Sequence, residues 1–222
     1  MSLVKSKWLS ISIDNPIADI VNIMTNYQYK DNIKAGFTDI NYINNEIEAT
    51  FVEKIILTEY IIDPYGNESE QYIDSFNYIT FKFIGNKLLE IINPPRSIKN
   101  LINFLSKIFD FGFFTSQITL DIKKLTRNIM MQFKICTLKK VKISGLKLGE
   151  SGLASIEVKS IKNALEDLSI LSKESNYTLD SISGFVLFEN QKINFEATKQ
   201  ACFSYEEDYR QIFIPILIKS IK

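Results

Sequence analysis

The sequence predicts an α+β fold: an antiparallel β-sheet, or two related sheets, with three to four helices packed on one face. Three observations predict it. Between Phe37 and Ile92, β-branched and aromatic residues dominate and turn signals recur, as in an antiparallel meander. Ile98, Leu101, Ile102, Leu105 and Ile108 lie on one face of a 3.6-residue repeat. Further alternating runs flank Gly149–Gly152 and Asn190–Gln191, which read as hairpins.

Taken in order, Trp8–Ile13 alternates apolar with small polar residues and predicts a strand. Asn15-Pro16 supplies an N-cap and a first-turn proline for a helix running to Asn26, with Ile17, Ile20, Val21 and Met24 inward. Strands follow from Phe37, through Glu46–Ile62, Tyr72–Ile84 and Lys87–Ile92. The turn Asp63–Asn67 and the pair Gly85-Asn86 divide them. Asn93-Pro-Pro95 ends the meander because proline cannot donate to a central ladder. The helix over Ile98–Ile108 is expected to stop at Gly112.

Asp121 opens a second helix with Ile122, Leu125, Ile129 and Phe133 inward. Thr137–Leu148 and Leu153–Lys159 form a hairpin, bulged at Gly145, where the alternation switches register. Ser160 is expected to cap a helix whose inward face is Ile161, Ala164, Leu165, Leu168 and Leu171. Strands near Ser183–Glu189, Lys192–Ala197 and Tyr209–Lys219 close the chain, with Ser204–Asp208 as a turn. The run Ile212–Ile218 is much too short for a membrane span, which needs about 20 apolar residues, and reads as a buried strand.

Ser97-Ile-Lys-Asn100 and Ser160-Ile-Lys-Asn163 are identical, and each follows a predicted hairpin. They suggest two pseudo-repeated ββα units. No Gly/Ser/Pro-rich linker separates the halves. The expected division is an N-terminal α+β lobe, 1–112, and a C-terminal α+β lobe, 113–222, or else one continuous domain.

Composition excludes whole classes of chemistry. With no histidine, Ser-His-Asp and Cys-His nucleophile systems and His-ligated zinc are ruled out. Two cysteines, Cys136 and Cys202, cannot build a disulfide framework or a four-cysteine metal site. Low cysteine use and an N-terminus without an apolar signal core lead to a cytoplasmic expectation with no membrane association. The Ile, Lys and Asn bias with only three arginines matches AT-rich codons and a bacterial source.

The zero net charge conceals segregation: residues 1–120 carry −4, residues 121–147 carry +7 and residues 148–222 carry −3. Lys123, Lys124 and Arg127 fall on the predicted helix, and Lys139, Lys140, Lys142 and Lys147 on the strand after it. These seven form the expected binding surface, for a protein partner and for nucleic-acid backbone through non-specific phosphate contacts. Arginine scarcity argues against base-specific readout. Phe109, Phe111, Phe113 and Phe114 cluster just ahead, where exposed rings would stack on bases and buried rings would join the core.

The leading expectation is therefore a non-catalytic binding or assembly subunit without a cofactor. The rival is a Mg²⁺-dependent nuclease, because Glu157-Val-Lys159 on a hairpin strand resembles the Glu-x-Lys element of PD-(D/E)xK nucleases. That resemblance covers three residues, and implies a metal-holding carboxylate at Glu157, an activating Lys159 and a second carboxylate upstream, for which Glu150 is the nearby candidate. No preceding Pro-Asp dipeptide completes the pattern. There is no phosphate-binding glycine loop either, and Asp63–Glu68 lacks the spaced ligands of a full Ca²⁺ loop.

Overall fold

The computed structural model describes residues 3–171 and 176–222. Among these residues the chain forms eleven strands and five α-helices, so the expected α+β class and antiparallel sheet are both present. It divides into two compact units: Ser10–Ser116, and Met1–Leu9 together with Gln117–Lys222.

The first strand, β1 (Leu3–Ile13), contributes to both units. In the N-terminal unit it leads into α1 (Ile17–Asn26), which follows Pro16 without a side-chain cap from Asn15 and buries Ile20 and Met24. Strands β2 (Ala35–Ile43), β3 (Glu46–Ile62), β4 (Glu68–Ile84) and β5 (Leu88–Ile92) follow, and pair in that order before reaching β1. Asn44 and Asn45 both adopt positive φ, as the two-residue hairpin between β2 and β3 requires.

Helix α2 (Lys99–Ile108) covers the start of this meander. Its Phe104 ring meets Phe37 and Phe51, both with centroids 5.3 Å away, and Leu101 and Leu105 are fully buried. The left-handed residues after α2 are Asp110 and Phe111, not the expected Gly112; Phe111 N–H closes the end on the Ser106 carbonyl at 2.8 Å. The short strand β6 (Phe113–Gln117), which the sequence pattern left unassigned, then pairs with β1. In the aromatic cluster Phe109 and Phe113 stack in the core, while Phe111 and Phe114 are exposed.

In the C-terminal unit, α3 (Ile122–Gln132) starts as expected, with Asp121 Oδ1 accepting from Lys124 N–H at 3.0 Å. Strand β7 (Ile135–Leu148) turns into β8 (Gly152–Lys159), and the register slips at Gly145, whose φ is +72°. Helix α4 (Ala164–Leu171) begins later than expected. Ser160 Oγ accepts from Lys162 N–H in a local turn, and Asn163 Oδ1 accepts from Leu165 N–H at the true helix start. Ile161 therefore falls outside the helix and is 91% exposed, rather than inward. Ala164 and Leu168 are buried; the side chain of Leu171 lies outside the described residues. Ser97 makes the same local turn, accepting from Lys99 N–H, but there the helix starts within the tetrapeptide.

Strands β9 (Thr178–Phe188), β10 (Gln191–Thr198) and β11 (Cys202–Glu206) complete the ladder β1-β11-β10-β9-β7-β8. Two expectations are corrected here. Ser204–Asp208 is not a turn: its first half is β11, and a 3₁₀ turn covers Glu207–Tyr209. Tyr209–Lys219 is not a strand but contains α5 (Arg210–Ile218), which brings the helices to five. A short continuous apolar run fits a buried strand and a buried helix equally by periodicity. Burial decides it: Phe213, Ile214, Ile216 and Leu217 are inward while Gln211, Pro215 and Ile218 face out. Phe213 packs its ring against Phe203, Phe133 and Phe195 at 5.4–6.0 Å. No helix among the described residues is long and apolar enough to cross a membrane.

Candidate functional site

The ladder of the C-terminal unit has one apolar face and one polar face, because cross-strand partners share a side. The apolar side runs through Val4, Tyr205, Phe203, Phe195, Ala197, Ile182 and Val141, all buried, and packs under the Phe213 and Phe133 rings of α5 and the end of α3. The other side is an open, lysine-rich face.

Two rows of paired residues define it. The first reads Lys5, Ser204, Glu196, Ser183, Lys140, Lys159 across six strands. The second reads Lys7, Cys202, Thr198, Ser181, Lys142, Glu157, with Cys202 N–H donating to Thr198 Oγ1 at 3.3 Å. Lys147 extends the charge along β7, and Lys192 stands over the Phe185 ring at 4.4 Å. Small hydroxyl side chains between the lysines leave a concavity of ≈ 430 Å³ lined by Lys5, Glu196, Thr198, Gln200, Cys202 and Ser204.

Three carboxylates temper the charge. Glu196 Oε1 lies 3.6 Å from Lys140 Nζ, and Glu157 Oε1 lies 3.3 Å from Lys159 Nζ. Glu206 is buried and accepts from Asn194 N–H at 3.1 Å. The two ion pairs are solvent-exposed, so each is worth less than about 1 kcal/mol and keeps its lysine available to a competing anion.

The structure splits the seven basic residues singled out in the sequence. Lys140, Lys142 and Lys147 share the open face. Lys139 sits at a register shift, donates to the Ile161 carbonyl and stands 5.8 Å from the Phe185 ring. Lys123, Lys124 and Arg127 are exposed on α3, which packs on the opposite, apolar side; Lys123 Nζ stands 4.9 Å over Tyr177. In their place, Lys5 and Lys7 join the face from a strand far away in sequence, and Lys159 joins it from the other arm of the β7–β8 hairpin.

The rival centre is also located. Glu157 and Lys159 contact each other directly. Glu150 lies in the turn between β7 and β8, about 16 Å along the strand from Glu157. The pair of carboxylates that would hold Mg²⁺ is therefore not brought together. Among the described residues no group of three or more Asp, Glu or Cys side chains is arranged to hold a metal ion. Burial pushes the Cys136 thiol up to about 11, which keeps it protonated and unreactive near neutral pH.

A second surface had gone unnoticed in the sequence. Strands β3 and β4 are each 17 residues long and pair without a slip from Glu46↔Ile84 to Ile62↔Glu68. Neighbouring strands stop early: β2 reaches only Glu53 and β5 only Phe81. Beyond them a two-stranded arm continues for about 30 Å. It exposes Ile56 (65%), Tyr60 (70%), Ile62 (64%) and Tyr72 (67%). The signal was present: strand lengths far above the usual five or six residues, and apolar neighbours Ile55-Ile-Leu57 and Tyr60-Ile-Ile62 that must fill both faces.

The sequence matches no protein-family model and no curated protein.

Proposed function

We propose that the chain is a non-catalytic binding subunit whose open lysine face in the C-terminal unit docks an acidic surface of a protein partner. The observation that carries this reading is the pairing of Lys5, Lys7, Lys140, Lys142 and Lys159 on one exposed sheet face. A flat face with short hydroxyl side chains between cations leaves room for partner carboxylates to approach the ammonium groups. Interleaved Glu196 and Glu157 favour a partner of mixed sign over a uniform polyanion, because a continuous phosphate backbone would meet them as like charges. Phosphate contact is the second outcome of the test, distinguished by its salt slope.

Two finer readings belong to the same proposal. The free thiols Cys136 and Cys202 fit a reducing, cytoplasmic setting. The matched Ser97 and Ser160 turns support a relation between the β4-β5-α2 and β7-β8-α4 units.

The test is binding of the full chain to a protein fragment with an acidic surface that also carries interspersed lysines, and to short nucleic-acid duplexes, read by fluorescence anisotropy between 50 and 200 mM salt. Lys140→Glu combined with Lys142→Glu is expected to weaken protein binding at least about tenfold. Lys123→Glu with Lys124→Glu, on the other side of the sheet, is expected to leave it unchanged. Equal loss from both pairs would defeat the assignment to the open face. Tighter, steeply salt-dependent binding to nucleic acid would replace the protein partner with a phosphate one.

A further inference from the structure

The arm formed by the distal halves of β3 and β4 carries an inference independent of the lysine face. A two-stranded ribbon is marginal in water, and a third strand or a covering layer is what stabilises it. Natural edges of this length are guarded by lysine, proline, bulges or charge. From Ile55 to Ile62 the outer edge of β3 has none of these except Glu59. Lys54 N–H reaches outward to the Lys34 carbonyl at 2.8 Å, so the even-numbered residues direct their backbone groups away from β4. Ile56, Thr58, Tyr60 and Ile62 therefore present a row of donors and acceptors beyond the end of β2.

We propose that a second copy of this chain pairs with that edge, β3 against β3, antiparallel about a twofold axis at Thr58. The side chains select this arrangement. Around Thr58, Ile56 faces the second copy's Tyr60, Ile55 faces its Ile61 and Leu57 faces its Glu59; the seam ends there, because Lys34 already takes the outward edge of Lys54. Within Ile55–Ile61 every outward residue meets an outward residue and no like charges oppose; only past the seam does Glu53 fall opposite the second copy's Asp63. The alternative edge, β4 against β4 about Tyr72, would set Glu70 against Asp74, which is unfavourable. The arm as a whole carries Glu59, Asp63, Glu68, Glu70 and Asp74 against Lys54 alone, and the β3 edge keeps all but Glu59 of those acids off the seam.

A second, separate observation agrees. In this register the turn of one arm must land beside the root of the other, just past Lys54. There the structure has a cleft of ≈ 720 Å³, lined by Ile33, Ile55 and Ile56 and by the charged side chains of Asp31, Lys34, Glu53 and Lys54. The turn carries Tyr65, the most exposed aromatic residue of the arm, which the open cleft has room to receive. The pairing gives a four-stranded sheet with isologous contacts, which closes as a dimer rather than growing into a fibre.

The experiment is sedimentation of the full chain over a concentration series, with two variants. Wild type is expected to dimerise. Thr58→Pro removes only an outward N–H and leaves the β3–β4 ladder intact, and is expected to raise the dimer dissociation constant at least about tenfold. Ile55→Cys with Ile61→Cys, which are far apart within one arm and opposite each other across the axis, is expected to give a disulfide-linked dimer on oxidation. Neither single cysteine variant should do so. A wild-type monomer at every concentration would overturn the proposal, as would absence of the cross-link in the double cysteine variant or cross-linking by one cysteine alone.

Discussion

The β3–β4 ribbon carries one apolar alternation from root to tip, yet its two halves live in different surroundings. At the root, Ile47, Ala49 and Phe51 on β3 and Ile79, Phe81 and Phe83 on β4 are buried in the core that α2 helps to cover. Past Glu53 the same parity continues through Ile55, Leu57, Ile61 and Ile73 with no neighbouring strand alongside. The period thus reports which side of a strand is meant to be covered, and the flanking strands report how far this chain covers it by itself. The edge strand β8 makes the contrast sharper: it is short and places Glu157 and Lys159 on its open side, as a guarded edge should.

That comparison is open to attack by substitution. The largest effect is expected at the root. Phe81→Ala should cost about 3–5 kcal/mol in urea unfolding, since the side chain is fully buried between Phe37 and Phe83. Gly184→Ala should cost at least about 2 kcal/mol, because a Cβ there would collide with the backbone of β7, including the Leu138 Cα at 2.9 Å. The loss would carry Lys140 with it and so weaken binding on the open face. Asp121→Ala should cost about 1 kcal/mol by removing the cap of α3, while leaving the arm unaffected.

Smaller effects are expected in the arm. Tyr60→Ser should change unfolding of the monomer by less than about 0.5 kcal/mol, because an exposed ribbon side chain has little contact to lose. A loss comparable to that of Phe81→Ala would mean that the arm is covered within the chain. At the tip, Asn67 donates to the Asp63 carboxylate and holds it below the usual carboxylate range. A lowered folded-state pKa stabilises the turn above the unfolded value and loses that contribution as the pH falls through the folded one. The protection of the Tyr65 and Asn67 amides, relative to their intrinsic exchange rates at each pH, should therefore fall on acidification before that of the root amides does.

Much of this architecture was legible in the sequence, and the reasons are local. Asp121 and the Gly145 bulge are decided within a few residues, by a side chain that reaches its own helix and by a switch in alternation. Gly66 and Gly85, in the two turns the sequence marks, stand where φ must be positive. What escaped was decided at long range. The run Ile212–Ile218 is a helix because Phe213 meets rings from β11 and α3, which no periodicity within seven apolar residues reveals. The basic stretch 121–147 was legible as charge, but its division between α3 and the open face depends on which side of the sheet each element occupies. Lys5 and Lys7 joined the face only through the long-range pairing of β1 with β11.

The central claim is that the distal edge of β3 is covered by another molecule rather than left bare. Residue-resolved amide hydrogen exchange at two protein concentrations, some hundredfold apart, tests it most directly. The account predicts that Ile56, Thr58 and Tyr60 gain protection at the higher concentration, while the odd-numbered amides bonded to β4 and the root amides do not change. Equal, rapid exchange of those three amides at both concentrations would contradict it.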